Sequence, residues 1–288
     1  MPWMKAMGPV LAGSVLAGAL CFAVLAADDR PGVSVPVPRK IVSLNLCADQ
    51  YLLALADRGQ IAGLTQNAID TEMSAAAAEA RGLRILRPSA EEMLAIGPDL
   101  VVGMPARGHA VMTALKGRHY PALDLTAAQS FAAIAEQTRI VARAVGHVDR
   151  GEAMVSRMER DLAALGKPGR GRVAAYYQRR GFLTGTGTLV DDLMQRAGLV
   201  NLAERLGKPP LSQLSVEELV AARPDYLIVD SSADSIRDQG TEMLHHPALR
   251  GIPRLRLPEA WTVCGGPAYV RAAQSLVAQI EAARIKAD

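Results

Sequence analysis

The sequence predicts an α/β protein of two Rossmann-like lobes, each with a parallel sheet, joined by a long rigid helix. Three observations carry that expectation. Short apolar runs ending in turn-like residues alternate with helical patterns in both halves of the chain, as strands and helices do in parallel sheets. A proline-free stretch over 130–165 places apolar residues at helical spacing between the halves. One segment also occurs twice: PSAEEMLAIGPDLVVG starts at position 88 and LSVEELVAARPDYLIV starts at position 214.

The elements follow in order. Ile41, Val42, Ser43 and Leu44 read as a first strand, 50–56 as an apolar helix, 61–64 as a second strand and 83–86 as a third. A helix over 90–96, a Gly-Pro break, a strand over 100–102 and another over 123–125 complete an N-terminal lobe spanning 39–126. Residues 127–167 form the linking helix, read as one long helix or two in tandem. Its apolar positions are Ile134, Ile140, Val141, Ala144, Val145, Met154, Val155, Met158 and Leu162, and Gly146 and Gly151 are candidate breaks. The C-terminal lobe, 168–288, restarts the pattern. It holds a strand over 173–177, a glycine-rich loop over 183–187, a helix over 189–197, strands over 226–229 and 252–257, and a last helix over 268–285.

The repeat has a local reason. Ser89 and Ser215 occupy helix N-cap positions, and Glu92 and Glu218, three residues on, complete a capping box. Pro98 and Pro224 end each helix. Capping leaves Glu91 and Glu217 unused. Each gains about 0.3–1 kcal/mol from the helix dipole, which explains either one alone. Two at equivalent places on two lobes suggest a two-point docking surface.

Composition bounds the function. The chain has 288 residues, half of them hydrophobic and 21% charged, enough to bury a sizeable core. A net charge of +3, with no basic run interleaved with aromatics, argues against nucleic acid. Residues 1–26 carry Lys5, an apolar run over 10–25, and Val24 and Ala26 at the small-residue positions of a cleavage site. This is the pattern of a signal peptide cut after Ala26. The other reading is an uncleaved anchor, although about 16 apolar residues fall short of the ~20 a span needs. Leu20 before Cys21 argues against a lipobox. Residues 27–38 form a flexible, proline-containing lead-in. Processing would leave one tryptophan, Trp261, and two cysteines, Cys47 and Cys264, in an oxidising compartment.

Over 39–285 the chain resembles the periplasmic substrate-binding proteins of ABC importers for iron–siderophores, cobalamin and haem. The residues that carry the resemblance are IVSLNLCADQYLLALADRGQIAGLT, the paired S-x-E-E…PD segments, GTGTLVDDLMQRAGLVNLA and WTVCGGP. The resemblance implies a monomer in the periplasm that captures a metal chelate, a ferric siderophore or a corrinoid, and delivers it to an inner-membrane permease. It implies that Glu91 and Glu217 pair with permease arginines, and that the lobes close only slightly on the ligand. Neither a cofactor nor catalysis is implied. The sequence has no G-x-S-x-G, H-E-x-x-H or P-loop, and its GTGT lacks the third glycine of a dinucleotide fingerprint. A ligand-sensing adaptor of the same fold and a secreted α/β enzyme are the alternatives.

Ligands of open α/β sheets bind at the carboxyl ends of the strands. That rule selects Asn45, Cys47, Gln66 and Arg107 from the first lobe, and Arg179, Arg180 and Trp261 from the second. The loops of Gln178, of 184–186 and of Ser231-Ser232 belong to the same set. Arginines pair bidentately with anionic oxygens, so Arg107, Arg179 and Arg180 favour an anionic iron chelate; solvated surface arginine is the alternative for each. The low aromatic content argues against haem. Trp261 either stacks on a flat ligand or packs between helices, and Tyr177 belongs to the core. Cys47 and Cys264 face one cleft, as a disulfide across the lobes, as a thiol site, or as two separate buried thiols. His109 is a loop histidine, read as solvated before it is read as an axial ligand, and no metal site can be assembled from the five histidines.

Overall fold

A computed structural model describes residues 36–87, 89–115, 117–230, 233, 235–236 and 238–285. The signal peptide expected over 1–26 and most of the lead-in over 27–38 lie outside them.

The N-terminal lobe is built on β1 (Ile41–Ser43), α1 (Leu46–Leu55), β2 (Ile61–Gly63), α2 (Ala90–Ile96), β3 (Leu100–Gly103), α3 (Ala110–Ala114) and β4 (Ala122–Asp124). Its four strands are ordered β2-β1-β3-β4 and all pair in parallel. Every residue of β1 and β3 is buried, as expected of strands covered on both faces. The first helix starts earlier than its apolar run suggests, because the Asn45 side chain accepts a hydrogen bond from the Ala48 N–H at 3.0 Å and caps it at Leu46. The strand expected over 83–86 is only a bridge of Ile85 to Leu64.

The twin helices differ at their caps. In α8 (Val216–Ala222) the box is complete: the Glu218 N–H donates to Ser215 Oγ at 3.1 Å and the Ser215 N–H to Glu218 Oε2 at 2.9 Å. In α2 only the first half forms, with the Glu92 N–H 3.2 Å from Ser89 Oγ, and the Glu92 carboxylate faces Arg84 at 3.6 Å instead.

The linking segment is two helices in tandem, one of the two forms expected of it. These are α4 (Phe131–Ala144) and α5 (Val148–Ala163). Gly146 breaks them with φ +83°, and a Cβ there would come within 2.7 Å of Val37. Gly151 lets them touch, since a Cβ on it would overlap Ala142. Both helices reach both cores. Val141 and Ala142 of α4, with Val145 just after it, join the N-terminal cluster, while Ile134 of α4 and Met158 and Leu162 of α5 join the C-terminal one; Met154 of α5 packs against both.

The C-terminal lobe holds β5 (Val173–Tyr177), β6 (Phe182–Thr184), α6 (Leu189–Arg196), β7 (Val200–Asn201), α7 (Leu202–Arg205), β8 (Leu211–Gln213), α8, β9 (Tyr226–Asp230), α9 (Gln239–Glu242), β10 (Arg254–Leu257), α10 (Glu259–Thr262) and α11 (Tyr269–Ile285). Its sheet is mixed rather than parallel, in the order β10-β9-β5-β6-β8 with β7 beside β5. The expected glycine-rich loop is in part β6, which runs antiparallel to β5 and to β8. The turn before it is too short for a crossover. Arg180 and Gly181 take φ of +58° and +75°, and the Gln178 N–H closes the turn on the Phe182 carbonyl at 2.8 Å.

Replacing Gly151 with Leu should force α4 and α5 apart and destabilise the fold by about 1–3 kcal/mol, the usual cost of overpacking. Urea unfolding of the wild type and variant, followed by circular dichroism, measures it.

The inter-lobe cleft as a candidate ligand site

Strand ends of the C-terminal lobe open on a cavity of about 530 Å3. Tyr176, Gln178 and Arg179 enter it from the end of β5, Thr184 from β6 and Asp230 from the end of β9. Thr188 and Leu189 come from the start of α6, Asp238 and Thr241 from α9 and its cap, and Glu259 from the start of α10. Glu72 closes it from the N-terminal lobe and Gln129 from the linker. A smaller cavity of about 60 Å3 shares Gln129, Leu189, Thr262 and Val263 with the first. Cys47 and Met104 of the first lobe and Cys264 of the second also line it, so the cleft runs on between the lobes.

A covalent bridge stands at that end. Cys47 and Cys264 form a disulfide with their Cα atoms 5.4 Å apart, which ties α1 to the segment between α10 and α11. Tyr51, wholly buried on α1, donates its hydroxyl to the Gly265 carbonyl at 2.8 Å, and burial pushes its phenol pKa up. Gly265 sits so close to the Ala128 carbonyl that no side chain fits there. Of the three readings of the cysteines, the cross-lobe bridge is the one the structure adopts.

Among the described residues, four acids, Glu72, Asp230, Asp238 and Glu259, and one guanidinium, Arg179, line the cavity. Arg179 pairs with Asp238, whose carboxylate also accepts the Thr241 N–H at 2.8 Å. Bonding to the Thr241 backbone, with further help from the arginine, holds Asp238 below the usual carboxylate range. Glu259 is pushed up, first by burial and then by the charge of Asp230, with Arg179 opposing. The two acids are adjacent, since the Glu259 N–H donates to Asp230 Oδ1 at 2.9 Å.

Of the seven residues selected as ligand contacts, Arg179 lines the large cavity and Cys47 the small one; the other five line neither. Asn45 spends its side-chain oxygen on the α1 cap. Gln66 is exposed at the start of a helical turn. Arg107 is engaged elsewhere, its guanidinium on Asp124 and on the Ala122 carbonyl, and its own N–H on Asp124 at 2.8 Å. Arg180 is exposed beside Gly240. Trp261 packs against the C-terminal core with Arg271 5.8 Å from its ring centroid. Tyr177 is fully buried, its hydroxyl donating to the Leu214 carbonyl. His109 caps α3, accepting from the Val111 N–H. Gln178 and Thr184, on loops the strand-end rule named, do line the cavity, while Ser231 and Ser232 lie outside the described residues. The rule missed Asp230 by one residue and Glu259 by two. Both stand where β9 and β10 end, which was the usable signal.

Two lobes thus share a pair of helices, with a cavity at the strand ends between them. The profile of the family described as "Periplasmic binding protein" matches residues 41–256, and the chain belongs to that family of binding proteins. A cobalamin-binding protein of Halobacterium salinarum is 25% identical over 69% of this chain, and the chain spans 56% of that relative's length. Among solved structures, a periplasmic heme-binding protein from Roseiflexus sp. RS-1 is 24% identical with a TM-score of 0.63, over 84% of this chain and 99% of that one. The periplasmic vitamin B12 binding protein of Vibrio cholerae is 15% identical with a TM-score of 0.61, over 86% and 98%.

The bridge closes a loop of 217 residues. Chain-entropy arithmetic for a loop of that length gives about 5 kcal/mol. Replacing Cys47 and Cys264 together with Ala should lower unfolding stability by up to that amount. Reductant should bring the wild type to the level of the double variant and leave the variant unchanged, as read by urea midpoints with and without dithiothreitol.

Proposed function

We propose that this chain is the periplasmic solute-binding component of an ABC importer, exported by a cleavable signal peptide. It captures a metal chelate, a ferric siderophore or a corrinoid, between its lobes and hands it to an inner-membrane permease. The observation that carries this is the cavity of about 530 Å3 at the strand ends, lined from both lobes and the linker. Its volume falls in the range of small-molecule sites. Tyr176, Leu189, Val190 and Leu244 give it apolar wall beside its polar groups. The likeness to cobalamin- and heme-binding relatives supports the ligand class.

Delivery rests on the twin helices. Glu91 and Glu217 are the second residues of α2 and α8 and both are exposed. Glu91 is held below the usual carboxylate range by backbone N–H bonding at its helix start, so it meets a partner as an anion. Two acids on separate lobes suit a permease that presents cations at two points.

Trp261 precedes Thr262, which lines both cavities, and serves as an optical probe. The chain without its first 26 residues should show saturable quenching of Trp261 emission by a ferric siderophore, cobalamin or haemin, with a Kd of about 1 μM or tighter, about −8 kcal/mol. A flat response, with no thermal shift from any of them, would remove the chelate-carrier reading. The Glu91→Ala, Glu217→Ala double variant should keep its ligand affinity within about twofold, a few tenths of a kcal/mol, while losing transport in reconstituted vesicles. If ligand affinity falls instead, these glutamates do not dock.

A further inference from the structure

Another cavity, of about 140 Å3, opens on the seam between the lobes and shares no described lining residue with the two cleft cavities. We infer that it is a site for a small zwitterion, an α-amino acid with a short apolar side chain. This goes beyond chelate carriage and does not depend on it.

Both lobes build the cavity. Gln50 and Leu53 reach it from α1, and Ala76 and Glu79 from the turns that follow β2. Pro267 and Arg271 face it from the start of α11. These are the same two segments that the disulfide ties, with Cys47 three residues before Gln50 and Cys264 three before Pro267. The walls are held in place. Arg58 donates to the Glu79 and Arg81 carbonyls at 2.6 and 2.7 Å, and Arg271 lies over the Trp261 ring.

Gln50 points to a ligand. The residue is 3% exposed, and among the described residues nothing bonds its enclosed Nε2. A buried amide without a partner is costly, and folded proteins pair nearly all of them. The cavity is large enough to bring a partner. One water needs roughly 10–15 Å3, so about 140 Å3 takes a molecule of several heavy atoms. That volume is below the ~300 Å3 at which sites for drug-sized ligands begin, which excludes a corrinoid or a tris-chelate.

The polar groups set the chemistry. Gln50 Nε2 and the Arg271 guanidinium are donors, and the start of α11 adds the positive end of a helix dipole. Together they suit a carboxylate. Glu79 suits a cation. A zwitterion meets both demands, whereas a simple acid or a simple amine sets its charge against one of like sign. Leu53, Ala76 and Pro267 leave apolar wall for a short side chain.

Calorimetry of L-valine with the chain lacking its first 26 residues is the test. L-Valine should bind saturably with a Kd of about 1 mM or tighter. Isovalerate lacks the ammonium and isobutylamine lacks the carboxylate, and each should bind about tenfold more weakly or worse. Gln50→Leu removes the amide, and Ala76→Leu fills the cavity without touching it. Each should weaken L-valine about tenfold or more, in protein whose urea midpoint shows that it is folded. No saturable heat at about 50 mM L-valine overturns the proposal. So does a folded variant of either kind that binds L-valine unchanged, or an analogue that binds as tightly as L-valine.

Discussion

The structure depends on how the segment between α10 and α11 is held against the first lobe. The Cys47–Cys264 bridge fixes it covalently, Tyr51 hydrogen-bonds it through Gly265, and the close approach of Gly265 to Ala128 leaves room for nothing larger. Thr262 and Val263, just before the bridge, form the wall shared by both cavities. The latch therefore sets the shape of the site as well as the separation of the lobes. The pair α4 and α5, buried in both cores, makes a second connection. A cavity between lobes joined twice in this way is built from fixed walls, the kind of preorganisation that lowers the ordering cost of binding.

The twin helices show how one local instruction is reused with different endings. Both start on a serine cap and both end in a left-handed residue, Gly97 at φ 57° in one and Arg223 at φ 49° in the other. A glycine takes that conformation freely, whereas an arginine there carries a steric cost that the surrounding structure must offset. One turn beyond Glu91 and Glu217, Leu94 and Val220 are both exposed apolar residues, so the repeat extends to the character of the surface around each acid. Pairing of a strand with its neighbours does not require that likeness, but presenting the same surface twice does.

Legibility in the sequence followed the range of the interactions. The strands of the first lobe and both serine-capped helices were readable because caps, prolines and apolar runs act within a few residues. The antiparallel β6 was not, since it depends on Arg180 adopting a positive φ, which few side chains do and no pattern announces. The break between α4 and α5 was half legible: Gly146 was visible as a candidate, but the touch of Gly151 on Ala142 is a tertiary contact. For the cleft, the strand-end rule pointed to strand ends that open on the cavity, but most of the side chains it selected do not line it. Arg107 was chosen for its type, and its partner Asp124 lies 17 residues away on the next strand of the sheet. A partner at that separation is set by strand order, which the sequence does not spell out.

The same limit governs charge. The chain carries a net +3, and on that figure alone a cleft that attracts anions looks natural. The described lining nonetheless includes four carboxylates beside one guanidinium, and one of the four, Asp238, is paired with that guanidinium. No contradiction follows, because net charge sums over the whole chain while a ligand feels the groups within about a Debye length, roughly 8 Å at physiological salt, and feels them most strongly where low-dielectric walls exclude water. Asp230 and Glu259 end adjacent parallel strands, so the fold brings together two acids that lie 29 residues apart in sequence. Parallel order gathers the ends of many strands into one place. Which charged groups stand at the site is therefore decided by the few residues that follow those strands, and the composition of the entire protein does not reveal it.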